Sequence, residues 1–322
     1  MFKPYVIAMP MVLAALALSA CSGGSNGNAS RTAATSASGA GASTSSAKPG
    51  GTVKLAYVEW SSCTAATNVA KAVLEKQGYK VDAISVSGAA MYSAIANNDA
   101  DATVCAWLPS TQANYYAKTK DRLENLGANM NGTKLGLVVP DYVNIDSIEQ
   151  LKANADKFDN RIVGIDPGAG EMDLTQKAIK QYGLPLKLVS GSGATMTAAL
   201  KSAIDNHKWI VVTGWTPHWM WARWKLKYLA DPKDVYGGSE NIDTLVRKGL
   251  KKDNPGAYAI LNAFHWTAKD MQQVMAAARE PDSSPAKAAR QWVSTHVAKV
   301  DSWTTAPASG ASSMPAATSS AH

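Results

Sequence analysis

Short apolar runs alternate with amphipathic stretches along most of this chain, and the alternation arrives twice. Residues 53–60, 81–86 and 102–108 read as strands, separated by helices at 64–77, stopped by Gly78, and at 91–97. A β-branched run at 135–139 and a helix at 145–155 follow. A second unit then places strands at 162–166, 186–189 and 209–213 around helices at 171–182, stopped by Gly183, and 195–206. A turn-rich segment at 228–237 and helices at about 240–250, 254–263, 267–279 and 285–298 complete the pattern. Strands alternating with helices predict parallel sheets and an α/β fold. Two such units predict two lobes, 51–138 and 139–227, with 228–302 returning to the first. The cleft between them lies at the strand C-termini, where such sheets bind ligands.

The two ends differ from this middle. Lys3 and the short apolar run at 9–18 form an export signal over residues 1–21, too short to span a membrane. Leu18-Ser19-Ala20-Cys21 resembles a bacterial lipobox, which makes Cys21 the lipidated first residue after cleavage. An ordinary signal peptide with an incidental cysteine is the alternative. Residues 22–50 are almost all Ser, Ala, Gly, Thr and Asn, a composition that cannot bury enough apolar surface to order itself, and 303–322 have the same character. They are expected to be a flexible linker and a disordered tail. Roughly 250 residues remain, enough for two lobes of ordinary size.

The net charge of +7 is spread along the chain. Its densest basic run, 223–227, reads as a solvated face, and no nucleic-acid partner is expected. Cys63 and Cys105 are the two cysteines left after Cys21. Outside the cytoplasm such a pair forms a disulfide or remains as two buried thiols, and both readings stay open here. Without a His pair at ligand spacing they do not make a zinc site, so no metal and no cofactor are expected. The folded region has no G-x-S-x-G elbow and no H-E-x-x-H, so an exported enzyme is the weaker alternative.

Tryptophan is abundant, ten against three phenylalanines, which hints at aromatic recognition surfaces. Trp60, Trp107 and Trp215 each fall at the C-terminal end of an expected strand, followed by small, polar or turn-forming residues. Three indoles converging there make an electron-rich box. A quaternary ammonium has no N–H to donate, and ring faces attract its diffuse charge by roughly 0.5–2 kcal/mol each. The run Asp166-Pro167-Gly168-Ala169-Gly170-Glu171 joins a strand to a helix. Free amides at that helix start, Gly170 and Glu171, are candidates to hold a carboxylate, with the Glu171 side chain turned away. A simple tight turn is the plainer reading of such a run. His218 reads as a structural histidine, and Trp219, Trp221 and Trp224 as packing residues.

Four segments resemble the glycine betaine-binding proteins of ABC importers: Leu55-Ala56-Tyr57-Val58-Glu59-Trp60, Ala106-Trp107-Leu108-Pro109, Gly164-Ile165-Asp166-Pro167-Gly168-Ala169-Gly170 and Thr213-Gly214-Trp215-Thr216-Pro217-His218-Trp219-Met220. The resemblance covers about residues 52–300. It implies a type II periplasmic-binding-protein fold whose lobes close over the ligand. It also implies Trp60, Trp107 and Trp215 around a trimethylammonium group, and the Gly170 and Glu171 amides on the carboxylate. Some members place a His five residues after the second tryptophan; here Gln112 stands there, a neutral donor for the same carboxylate. The implied role is capture of glycine betaine or a related osmoprotectant, with choline or carnitine as alternative ligands. The implied setting is a lipid-anchored extracytoplasmic monomer that serves an ABC permease.

Overall fold

The computed structural model describes residues 50–305; the signal segment with Cys21, the linker through 49 and the tail beyond 305 lie outside the described residues. The first strand, β1 (Thr52–Tyr57), leads into α1 (Ser61–Lys76), β2 (Lys80–Ser85), α2 (Gly88–Ala96) and β3 (Ala102–Leu108). These three strands are parallel, in the order β2-β1-β3. Every residue of β3 is buried, as its unbroken apolar run requires of a strand covered on both faces.

After α3 (Ala113–Thr119) the chain enters β4 (Leu123–Pro140), eighteen residues long. Then come a 3-10 segment (Ile148–Phe158), β5 (Arg161–Val163), α4 (Gly170–Tyr182), β6 (Lys187–Val189), α5 (Gly193–Asp205) and β7 (Val212–Thr216). α6 (Met220–Arg223), β8 (Leu226–Tyr228) and β9 (Glu240–Arg247) carry the chain back. It ends in α7 (Leu250–Asp253), α8 (Pro255–Ala263), α9 (Ala268–Ala277), α10 (Pro285–Thr295) and α11 (Val297–Thr304), of which α8, α9 and α10 pack on α1.

β4 ties the molecule together. From Leu123 to Thr133 it pairs antiparallel with β9, and from Lys134 onward it pairs with β7 and β8. The partner changes between two adjacent residues, so one continuous strand serves two sheet halves.

Three expectations need correction. The sheet is mixed rather than parallel, because β9 inserts antiparallel between β3 and β4. The helix expected at 240–250 is this strand. Its apolar residues Ile242, Leu245 and Val246 mimic helical spacing, but β9 is central and nearly all of it is buried. Its polar residues serve partners far away in the sequence: Asp243 accepts from Asn125 Nδ2 at 2.7 Å, and Thr244 Oγ1 accepts from Asn129 Nδ2 at 3.0 Å. Finally, Trp303, placed in the expected tail, is buried within α11.

Candidate functional site

Trp60 lies past the end of β1, at the N-cap of α1, not in the strand that the sequence suggested. Trp107 sits in β3 and Trp215 in β7. Both are followed by cis prolines, at Leu108–Pro109 and Thr216–Pro217. The three indoles line one cavity together with Gln112, Gly170 and Glu171, and Ser62, Thr111, Leu135, Ile165 and Ala169 complete the wall. The cavity is narrow, with a volume of about 30 Å³. All six ligand residues expected from the sequence therefore meet at one place, drawn from both sheet halves.

Contacts across the cavity are close. The indole Nε1 of Trp60 donates to Asp166 Oδ2 at 2.6 Å, and Tyr115 Oη donates to the Gly168 carbonyl at 3.0 Å. A Cβ at Gly170 would sit 2.0 Å from the Thr111 carbonyl oxygen, so only glycine allows this approach. Thr111 is itself held from β9. Its N–H donates to Glu240 Oε1 at 2.7 Å, and its hydroxyl donates to Oε2 of the same carboxylate.

Gly170 and Glu171 open α4, where their N–H groups have no carbonyl inside the helix to accept them. The Glu171 side chain is buried, and neither carboxylate oxygen completes a hydrogen bond, although the Gly136 and Gly214 amides face it. Burial raises its pKa to about 8, with those amides pulling the other way. The group is thus neutral around pH 7 and does not place a second negative charge beside the helix start. Gln112 stands at the N-cap position of α3 without a side-chain capping bond; its Oε1 accepts from Trp107 N–H at 2.9 Å, while its Nε2 is buried without a partner.

Cys63 and Cys105 are bonded to each other, with Cα atoms 5.2 Å apart, which ties α1 to β3. His218 is fully buried and braces the opposite wall. Met220 N–H donates to its Nδ1 at 3.1 Å, which leaves Nε2–H to donate to Ser61 Oγ at 3.1 Å. Burial, with help from the Arg279 charge, lowers its pKa to about 3, so it is a neutral structural group as its sequence context suggested. Its ring meets Trp215 edge-on at 4.6 Å, and Trp221 Nε1 donates to the Trp215 carbonyl at 2.8 Å. Sequence reading missed the supporting roles of Asp166, Ser61 and Glu240. Their partners lie more than a hundred residues away, so no local spacing could have signalled them.

Among the described residues no group of three or more His, Cys, Asp or Glu is placed to hold a metal, and no helix is long and apolar enough to cross a membrane. Two sheet halves closing on an aromatic cavity are the arrangement of a type II periplasmic binding protein, a solute-binding class. The family model for the substrate binding domain of the ABC-type glycine betaine transport system matches residues 51–295, and the chain belongs to that family. It is 50% identical over 146 residues to the glycine betaine/carnitine transport binding protein GbuC of Listeria monocytogenes, covering 44% of this chain and 48% of that one. The match thus spans about half the length of that relative. The lactococcal OpuAC in its closed-liganded conformation with glycine betaine superposes with a TM-score of 0.75 at 44% identity, over 79% of this chain and 99% of the other. An ABC-transporter choline binding protein in complex with choline superposes with a TM-score of 0.74 at 27% identity, over 79% and 91%.

Proposed function

We propose that this chain captures glycine betaine or a close quaternary-ammonium relative outside the cytoplasm and presents it to an ABC permease. In this reading it acts as a monomer, anchored to the membrane through lipidated Cys21. One observation carries the ligand assignment: Trp60, Trp107, Trp215, Gln112, Gly170 and Glu171 line a single cavity. The indoles suit the methylated cation, which cannot hydrogen-bond, and ring faces in a desolvated site are worth up to about 2 kcal/mol each. The Gly170 and Glu171 amides and the Gln112 Nε2 suit the carboxylate. Because the wall comes from both sheet halves, we read them as two lobes that a ligand draws together, shifting an open–closed equilibrium.

Choline or carnitine is the second reading. For choline, which has no carboxylate, the reading is favoured by Gln112, whose neutral amide holds a carboxylate less firmly than a charged donor would.

Calorimetric titration with glycine betaine, proline betaine, choline and carnitine side by side tests the proposal. Glycine betaine should bind, and Trp60→Ala, Trp107→Ala and Trp215→Ala should each weaken it about tenfold or more. Unchanged affinity in all three variants would remove the aromatic cage as the basis of recognition.

A further inference from the structure

The orientation of the Gln112 amide is fixed by its neighbours. The Trp107 backbone N–H can only donate, so the prong it meets at 2.9 Å must be the oxygen. The same Oε1 accepts from Tyr92 Oη at 2.9 Å. Both sites on the inner prong are therefore filled by donors, and Nε2 is the outer prong. That NH₂ group is buried without a partner on a residue that lines the cavity. Tyr92 projects from α2 and is 1% exposed. Burial, reinforced by nearby Asp243, holds its phenol pKa well above the usual value, so the hydroxyl keeps the proton it donates.

Gln112 Nε2 and the two free amides of α4 give the polar end of the cavity donors. A carboxylate, which only accepts, can satisfy them all. A hydroxyl brings a proton of its own, for which these groups offer no acceptor. We propose that Tyr92 is a positioning residue that, acting through Gln112, sets the preference of the site for quaternary amines ending in a carboxylate over those ending in a hydroxyl. This rests on the betaine-binding reading and adds to it a residue that touches no ligand. Without the phenol, the amide keeps only one inner partner and can swing, so the outer prong no longer presents a fixed donor.

Calorimetry with glycine betaine and choline tests the proposal on wild type, Tyr92→Phe, Gln112→Ala, the double variant and Gln112→Glu. Tyr92→Phe should weaken betaine by roughly three- to tenfold and leave choline within about twofold, so that the ratio of the two affinities falls. In the Gln112→Ala background the same change should leave that ratio alone, because its route is gone. Gln112→Glu should turn the outer prong into an anion, lowering betaine affinity by at least about a hundredfold while choline stays within about tenfold. This last variant keeps the proposal open to refutation if Tyr92→Phe does not fold. Equal losses for both ligands in Tyr92→Phe, an undiminished effect in the double variant, or an unchanged ratio in Gln112→Glu would each overturn it. Wild type that binds choline but not betaine would also overturn it. If wild type binds neither ligand, the betaine-binding reading itself fails; if it binds betaine with an unmoved ratio in the variants, only this inference does.

Discussion

Two groups of three tryptophans in this molecule follow opposite rules. Trp266, Trp292 and Trp303, near the C-terminus, pack on one another, with ring centres 5.9 Å apart for Trp266–Trp292 and 6.1 Å for Trp292–Trp303, and Phe264 inserted edge-on against Trp303 at 4.9 Å. Trp60, Trp107 and Trp215 are just as buried, yet they line a cavity, with Asp166 bonded to the Trp60 edge and His218 meeting Trp215 edge-on. The same side chain thus makes a core where its faces meet other rings and, in the function proposed above, a receptor where its faces meet a cavity. Exposure alone does not separate the two. What separates them is whether the faces are already occupied.

The sharpest way to break this comparison is to truncate one member of each group. Trp303→Ala should destabilise the fold by about 3–5 kcal/mol, because it deletes a 1% exposed indole from close packing, while betaine affinity of the folded fraction stays within about twofold. Trp215→Ala should do the reverse, losing affinity with a smaller stability change. Urea denaturation and calorimetry on the same two variants check this, and similar profiles in both assays would erase the distinction.

This difference was only half legible in the sequence. The excess of tryptophan pointed to recognition, but it could not say which of the ten residues were involved. The cavity trio stood out by position, each at the end of an expected strand before small or turn-forming residues, and by the segments resembling a known family. The strand–helix alternation gave the α/β class and most element centres, because periodicity is a local property. It failed at β9, where burial on both faces hid the period-2 pattern and polar residues served distant partners. It also could not see that β4 runs on for eighteen residues and changes partner at Thr133, since pairing is decided by other strands. The Glu171 side chain was expected to turn away from the ligand; its burial against the Gly136 and Gly214 strands, and the neutral state that results, depend on tertiary surroundings.

That neutral carboxyl and the neutral His218 give the two walls opposite pH responses. Glu171 holds its proton to about pH 8 when folded but releases it near 4.5 when unfolded, so it lowers stability progressively as pH rises between those values. His218 is neutral when folded down to about pH 3 but protonates near 6.5 when unfolded, so it lowers stability as pH falls from 6.5 toward 3. From these two groups alone, stability should rise up to about pH 4.5, stay level to about 6.5 where the slopes cancel, and fall to about 8. Each slope is at most about 1.4 kcal/mol per pH unit. Glu171→Gln should abolish the alkaline fall and leave the acid limb intact. Thermal unfolding across pH checks this, and an alkaline limb that survives the substitution would show that Glu171 is not its source.

The finest test concerns how a cavity tryptophan is held with its face free. A core indole is fixed by rings on its faces, but Trp60 is fixed through its edge, by the 2.6 Å bond from Nε1 to Asp166. Asp166 begins the turn that ends at Gly170, so this bond joins the wall that suits the cation to the loop that suits the anion. In the two-lobe reading proposed above, it forms when the two are close, and it should therefore contribute to closure rather than to the open form. Asp166→Asn keeps an acceptor oxygen but removes its charge, and charge-assisted hydrogen bonds are roughly twice as strong as neutral ones. Betaine affinity should fall by about two- to fivefold, mostly through a faster off-rate, with the unfolding midpoint of the free protein little changed. Stopped-flow fluorescence of the indoles separates the two rates. A slower on-rate with an unaltered off-rate would mean that Asp166 guides the encounter instead of holding the closed cavity shut.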